Sequence, residues 1–380
     1  MLILKAFKFE LMPNGGQIRK MKQFCGCSRF VFNRALAYQN EQYQQDNSFK
    51  FSYSKMTALL PEWKRELVWL KDCHSQVLQQ SLKDLESAFK NFFAQRTDFP
   101  KFKRKGNKDS FRFPQDCKLD QHNSRIWLPK IGWVRYRNSR HVSGCLKNVT
   151  VSQKCGKWFV SIQTEFEAEI PTPKGGEIGM DMGIAKFATL SDGQFFEPIN
   201  AFKTLKGKLA KLQKQFKHKT RFSKNWQKLK AKIAKLHHKI SNIRKNYLHQ
   251  ISHQISQNHA IVYVEDLQVA NMSKSAKGNA EQHGKNVRQK SGLNRAILDQ
   301  SWFEFRRQLD YKLLWNGGHL VAVPPQNTSR CCPACGHTAK DNRQTQVNFE
   351  CVVCGYQNNA DIVGAINVLK RGQAILAAQK

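Results

Sequence analysis

Residues 351–370 read CVVCGYQNNADIVGAINVLK, and an earlier CPACG occupies 332–336. Cys332, Cys335, Cys351 and Cys354 thus fall in a C-x2-C-x15-C-x2-C pattern. Tetrahedral Zn²⁺ takes four thiolates at such spacings, and the Gly after each pair permits a tight knuckle turn. One structural Zn²⁺ is expected, since four thiolates leave no open position for a substrate. Disulfides, the other use of paired cysteines, belong to oxidising compartments. Cys331 stands beside Cys332, but the two-residue spacing and the following Pro333 favour Cys332 as the ligand. Beyond the second pair, NNADIVGAINVL reads as a helix start with Asp361 in its first turn. Gly364 and Ala365 stand three and four residues later on the same face, small enough to let that face lie close against a sheet and aim Asp361 at its strands.

Two upstream segments supply such strands. IVYVEDL, 261–267, is a short apolar run ending in acids, as expected of a buried strand whose C-terminal end opens onto a site. Side chains alternate faces along a strand, so Glu265 and Asp266 cannot line one cleft together. EIGMDMGIAKFATLSDGQFF, 177–196, reads as strand, tight turn at Ser191 to Gly193, strand. Asp181 lies there between glycines that would allow close backbone approach by a ligand. Any one of these acids alone suits a turn, a cap or a solvated surface. Asp181, Glu265 and Asp361 together, in strand, strand and helix contexts, suit phosphodiester hydrolysis, which commonly uses two metal ions about 3.5 to 4 Å apart held by converging carboxylates. Mg²⁺ fits, because it binds one or two carboxylates, phosphate oxygens and water at once.

The composition names the partner. With 63 Lys and Arg against 28 Asp and Glu, the formal charge is +35, a self-repulsion that a polyanion would neutralise. A membrane surface would also attract this charge, but no apolar run approaches the roughly 20 residues needed to span a bilayer. The start, MLILKAFKFELMP, lacks the pattern of a secretory signal, so the chain is expected to stay in the cytoplasm, with its 11 cysteines mostly thiols or metal ligands. Cys25 and Cys27 have no metal-site spacing.

Between the strands, Leu205, Leu209, Leu212 and Phe216 form one seam, and Phe222, Trp226, Leu229, Ile233, Leu236, Ile240, Ile243 and Tyr247 another, with a break near 218–221. The four-three spacing predicts an antiparallel helical hairpin. From 198 to 264 there is no Asp or Glu, so its Lys and Arg, among them Lys228, Lys232, Lys235 and Arg244, are expected to face phosphates. Arg343, inside the ribbon, is a further candidate contact. The stretch 274–295 is polar, without periodicity, and is expected to be mobile until substrate binds.

The first half changes period midway. From Gln17 to about Gln95 the pattern is helical, clearest at Leu78, Leu82, Leu85, Phe89 and Phe92. After the basic connection DFPKFKRKGNKDS it alternates: 126–128, 133–136, 149–151 and 158–162 read as strands, with Lys154 to Lys157 a hairpin turn. The opening strand, Ile3 to Leu11, has the same character, so the helices insert into one antiparallel barrel or sheet. PTPKGG, 171–176, separates this half from the rest.

With these residues in place, the chain resembles TnpB, a family of transposon-encoded, RNA-guided nucleases related to type V CRISPR effectors. The resemblance runs over nearly the whole length. It is carried by KAFKFELMPN, CSRFVFNRAL, LQQSLKDLESAFKNFF, FPKFKRK and LPKIGWV, then by GMDMGIAKFATLSDG, IVYVEDL and SWFEFRRQLDYKLLWNGGHLVAV. Its most specific part joins NTSRCCPACGH to FECVVCGYQNNADIVGAINVL. The family implies an α/β multidomain protein. Its expected parts are a β-barrel wedge domain at 1–12 and 98–174, a helical recognition domain at 13–97, and an RNase H/RuvC-like nuclease domain at 175–329 and 357–380. That nuclease domain carries the basic hairpin at 203–259 and an inserted zinc ribbon at 330–356. The resemblance implies that Asp181, Glu265 and Asp361 are the catalytic, Mg²⁺-binding triad. It also implies a guide RNA from the transposon end, and cleavage of double-stranded target DNA beside a short flanking motif by a single centre. Base pairing would read the target while protein reads backbone, duplex shape and that motif. Tyr53 and Gln79 are candidates for reading it, Gln being able to pair bidentately with adenine. Two other readings remain: a non-catalytic nucleic-acid-binding regulator of transposition, and a transposase or resolvase on the same fold.

Overall fold

Alternation from Leu2 onward builds one long strand, β1 (Leu2–Met12), burying Ile3, Phe7, Phe9 and Leu11 and exposing Leu2 and Leu4. The computed structural model describes residues 1–279 and 281–378, and the chain divides into two units, Met1–Ala168 and Glu169–Lys380.

In the first unit β1 leads into α1 (Gly15–Gln45), α2 (Tyr53–Ala58), α3 (Leu60–Glu66), a 3₁₀ turn at Val68–Asp72, and α4 (Ser75–Phe93). A capping box starts α1: the Asn14 side chain accepts the Gln17 N–H at 2.9 Å, while Gln17 Oε1 accepts the Asn14 N–H at 3.0 Å. The strands β2 (Ser110–Phe113), β3 (Lys118–Asp120), β4 (Arg125–Leu128), β5 (Gly132–Tyr136), β6 (Cys145–Lys154) and β7 (Lys157–Glu167) come next. They join β1 in an antiparallel sheet of order β2-β6-β7-β1-β5-β4-β3. Cys155 and Gly156, both at positive φ, make the predicted two-residue turn between β6 and β7.

Two expectations for this half change. The order leaves β2 and β3 at opposite edges with no ladder between them among the described residues, so hydrogen bonds do not close a barrel. Closure needs an edge-to-edge ladder, and strands of four and three residues offer few groups for one. The helical segment 13–97 also lacks a core of its own. Met21, Leu36, Leu78, Leu82 and Leu85 share one cluster with Phe7, Phe113, Val134 and Ile162, and the Phe24 ring lies 5.4 Å from Phe111 and 6.3 Å from Phe113.

The second unit is a sheet covered on both faces. Its elements are β8 (Glu177–Asp181), β9 (Ala188–Leu190), β10 (Phe195–Phe196), α5 (Ala201–Lys217), α6 (Lys224–Asn258), β11 (Ile261–Glu265), α7 (Val269–Met272), α8 (Val287–Gln300), α9 (Trp302–Trp315), β12 (His319–Val323), β13 (Asn348–Glu350), β14 (Gln357–Asn359) and α10 (Ala360–Ala377). The five-stranded order is β10-β9-β8-β11-β12, with β8, β11 and β12 parallel. Alternation sorts the faces. Ile178, Met180, Val262 and Val264 pack with Leu248, Ile251, Ile255, Phe305 and Leu309 of α6 and α9. Ile261 and Tyr263 pack with Val368 and Leu369 of α10. Gly179 and Asp181, in step with Tyr263 and Glu265, therefore share the α10 face.

Helix α10 reaches that face because glycines let it. A Cβ at Gly179 would strike the Ala365 carbonyl, and one at Gly372 would fall inside the Tyr263 ring. Close approach at Gly179 thus serves helix packing, where the sequence suggests a ligand. Gly372→Ala would ordinarily stabilise a helix by about 1 kcal/mol. Overpacking against the buried Tyr263 outweighs that, and the expected net loss is about 2 kcal/mol, read as a lowered urea midpoint.

The predicted helical hairpin is α5 and α6, sealed by Leu205, Leu209, Leu212, Ile233, Leu236, Ile240 and Ile243. Phe222 is not on its seam. It precedes α6 at φ +67°, exposed, because the connection runs to Ser223, whose hydroxyl caps α6 through the Trp226 N–H. Within 274–295, where the sequence shows no periodicity, residues from Val287 onward are helical. The helix α8 buries only Ile297, Asp299 and Gln300, too narrow a face to mark the sequence. Ala280, also in that stretch, lies outside the described residues. Among the described residues no helix is long and apolar enough to cross a membrane.

Candidate nuclease site

Asp181 and Glu265 are the last residues of neighbouring parallel strands, one rung beyond the Met180–Val264 pair. Both therefore stand at the carboxyl edge of the sheet, where α/β folds place their sites. Asp361 arrives from the other side, in the first turn of α10, whose cap is the Asn359 side-chain carbonyl oxygen accepting the N–H groups of Asp361 and Ile362. Gly364 completes the approach: a Cβ there would lie 3.1 Å from Asp181 Oδ2, so the Asp181 carboxyl occupies the space that glycine leaves.

The electrostatics report the convergence. Burial, then the Glu265 and Asp361 charges, push the Asp181 carboxyl up to about 7. Burial also raises Glu265, opposed by the Thr328 hydroxyl and Arg371, and raises Asp361, opposed by Arg343 and Lys186. Three acids at one edge of the sheet, only partly offset by Arg343, Lys186 and Arg371, suit a divalent metal. They are not gathered into the tight cage the cysteines form, which among the described residues is the one such cluster. A site for two ions spreads its carboxylates around both. Asp266 points elsewhere: it pairs with Arg306 at 2.5 Å, as alternation requires.

The ribbon is continuous with this site. The four cysteine sulfurs lie within 4.8 Å of one another, with Cys332–Cys354 and Cys335–Cys351 each at 3.6 Å. Zn–S bonds of about 2.3 Å in a tetrahedron set sulfurs about 3.8 Å apart, whereas a disulfide needs about 2.05 Å. The residues thus fit zinc. Both knuckles are built alike: the carbonyls of Cys332 and Cys351 accept the N–H of Gly336 and Gly355, at φ +77° and +71°, and their N–H groups donate to the carbonyls of His337 and Tyr356. The N–H groups of Cys354 and Val353 hold the Cys351 thiol down to about 6, while bonds to the neighbouring sulfurs help push Cys335 up to about 12. Cys331 and His337 stay outside the cluster.

Among the candidate nucleic-acid contacts, Lys228, Lys232 and Lys235 are exposed on α6. Arg244 is instead paired internally, with the buried Asp299 at 3.6 Å and the Leu298 carbonyl at 3.1 Å. Asp299 also caps α5 by accepting the Phe202 and Lys203 N–H groups. An acid from a later helix thus supplies the partner that the hairpin's own sequence lacks. Arg343 reaches the acids themselves, 3.6 Å from Asp361 Oδ1. Tyr53 and Gln79 are half-buried in the first unit, Tyr53 with Lys83 Nζ 5.4 Å from its ring. Thr328 and Asn367 join the site without standing out in the sequence, although Thr328 falls in the NTSR run directly before the ribbon.

Carboxylates at adjoining strand ends of an α/β sheet, with a ribbon inserted before the last helix, make this edge a candidate nuclease site. Residues 160–276 match a family described as "Probable transposase", and residues 302–368 match one described as "Cas12f1-like, TNB domain". A family described as a helix-turn-helix domain matches residues 1–48, which here hold β1 and the single helix α1. The chain is 58% identical over 377 residues to an Escherichia coli (strain K12) protein named as the RNA-guided DNA endonuclease InsQ, covering 98% of this chain and 94% of that one. It is 31% identical to a Streptomyces pristinaespiralis protein named as an RNA-guided DNA endonuclease, covering 99% and 91%. The solved Cas12f1–sgRNA–target DNA complex shares the fold at a TM-score of 0.60 and 11% identity, over 97% of this chain and 98% of that one. The chain belongs to the TnpB family of RNA-guided DNA endonucleases.

Proposed function

We propose that this protein cuts double-stranded DNA beside a short flanking motif, directed by an RNA from the transposon end, through two-Mg²⁺ hydrolysis at one centre. The observation that carries the chemistry is the convergence of Asp181, Glu265 and Asp361 at the carboxyl edge of the sheet, where burial and the charges of the other two push the Asp181 carboxyl up to about 7. Bound at these carboxylates, Mg²⁺ would supply Lewis-acid stabilisation of phosphoryl oxygens and activation of water. The chain's own groups do the rest. Asp181 and Glu265 hold oxygen ligands on rigid strand ends, and Asp361 offers its own from α10. The guanidinium of Arg343 stands where a scissile phosphate would add negative charge. Lys228, Lys232 and Lys235 meet the backbone of guide or target, while Tyr53 and Gln79 are assigned to the flanking motif. One centre means that the two strands are cut in turn.

The test is direct. RNA copurifying with the protein is sequenced, and a plasmid library carrying the matching target beside randomised flanking bases is offered with Mg²⁺. Linearised plasmid enriched for one flanking motif is the expected result. The matched family's description favours one second reading, strand transfer without a guide. RNA-free protein that joins or cuts DNA as well as the complex would establish it, and RNA-bound protein that never nicks the target would leave a non-catalytic binder.

A further inference from the structure

Glu265 stands at the end of a hydrogen-bonded chain that the carboxylate triad does not account for. Thr328, 3% exposed, gives its one hydroxyl proton to Glu265 Oε1 at 2.5 Å rather than to the Pro325 carbonyl, which lies further off at 3.1 Å. Thr328 has no regular element to fix it, since it lies after β12 in the connection that leads to the first zinc knuckle. Its position is set from α10. The Asn367 side-chain amide, 7% exposed, donates one N–H to the Thr328 carbonyl at 2.8 Å and the other to the Cys331 carbonyl at 2.7 Å. Arg371, one turn further along the same helix, donates to the Pro324 and Gln326 carbonyls. The helix that carries Asp361 thus holds the connection that carries Thr328, and Thr328 holds Glu265.

We propose that Thr328 and Asn367 are positioning residues of the nuclease centre. A free glutamate side chain can turn about its last torsion and offer either oxygen, or both, to a cation. With Oε1 committed to the Thr328 hydroxyl, the rotation is fixed and Oε2 is the oxygen left fully free. Asn367 transmits the position of α10 to that hydroxyl, so the acids from strand and helix keep one spacing. Partners of this kind change metal affinity or activity by roughly 10- to 100-fold when removed. A merely structural Thr328 would instead contribute through burial alone, and its loss would appear in stability.

The inference rests on the reading of Asp181, Glu265 and Asp361 as metal ligands, so its test separates the two. Target cleavage by the RNA-bound protein is followed against Mg²⁺ concentration for Thr328→Val, which keeps the shape and removes the donor, and for Thr328→Ser, which keeps the donor. Thr328→Val is expected to raise the half-saturating Mg²⁺ by about 10- to 100-fold, with much of the maximal rate recovered at high Mg²⁺. Thr328→Ser stays within about threefold of the parent. A readout independent of DNA cutting uses Fe²⁺ and peroxide, which break the protein chain beside a bound ion: fragments near residue 265 should need correspondingly more Fe²⁺ in Thr328→Val. Curves for Thr328→Val that superimpose on the parent's, or Thr328→Ser failing as badly as Thr328→Val, would overturn the proposal. If Thr328→Val does not fold, Asn367→Ala takes its place, with about a tenfold shift expected and no shift overturning it. Glu265→Gln is the control. Its activity at parental rate would sink the triad reading itself, whereas an inactive Glu265→Gln beside an unshifted Thr328→Val sinks only the positioning role.

Discussion

Asp181→Asn should stop guide-directed cleavage, by about 10³-fold or more, and should leave the protein slightly harder to melt. The first effect comes from losing a carboxylate that two neighbours and a helix are arranged to meet: metal stabilisation of phosphoryl transfer is worth several kcal/mol, and about 4 kcal/mol is a thousandfold. The second comes from the same geometry with the sign reversed. In the metal-free protein Glu265 and Asp361 repel the Asp181 charge, and burial opposes it as well, which is why its proton is held to about 7. An amide of the same shape removes that repulsion, a stability gain at the expense of activity of the kind that active sites commonly show. Plasmid cleavage with Mg²⁺ measures the first effect, thermal melting in chelator the second. RNA and DNA binding should be unchanged, because the basic surface is untouched. A variant that still cuts at the parental rate would place the chemistry elsewhere.

Cys351→Ser should lower bound zinc from one ion per chain to none and abolish cleavage with it. The ribbon has little else to hold it: its buried cluster is Cys332, Phe349, Cys351, Ala360 and Val363, and two of those five are members of the sulfur set. Structural zinc sites supply folding energy outright, so a ribbon that cannot bind metal is expected to open. Ala360 and Val363 belong to α10, so opening also exposes the turn that holds Asp361. Metal analysis and hydrogen exchange over residues 330–365 would show both changes. Full zinc content with normal protection in Cys351→Ser would contradict the assignment.

The parts of this molecule that are legible in the sequence are those fixed by local spacing. Four cysteines at two-residue intervals specify their cluster, and the structure selects Cys332 over Cys331, as the spacing does. The four-three seam of α5 and α6 is written in Leu and Ile. The three acids proposed as metal ligands stand out because each ends or begins a regular element, where period and polarity change together. What escapes depends on partners far along the chain. Gly179 suggests room for a ligand, yet its neighbour is the α10 backbone nearly two hundred positions away. Arg244 points to phosphate because its own helix has no acid, but Asp299 comes from α8. The helices of residues 13–97 are expected as a domain of their own, since a leucine stripe does not say whether helix or sheet covers it. Thr328 is marked only by its place before the ribbon, because its role depends on Glu265 and Asn367 arriving from two other elements.

The junction between ribbon and last helix leaves no slack. Tyr356 closes the second knuckle, β14 ends at Asn359, and that same asparagine caps the helix whose second residue is Asp361. Side chains alternate faces along a strand, so one residue added to β14 reverses those beyond it. A single insertion there would pull Asn359 out of register with Asn348 and off the first turn of the helix that carries Asp361, even with every ligand and carboxylate still encoded. Chain length across these few positions therefore constrains the site as residue identity does.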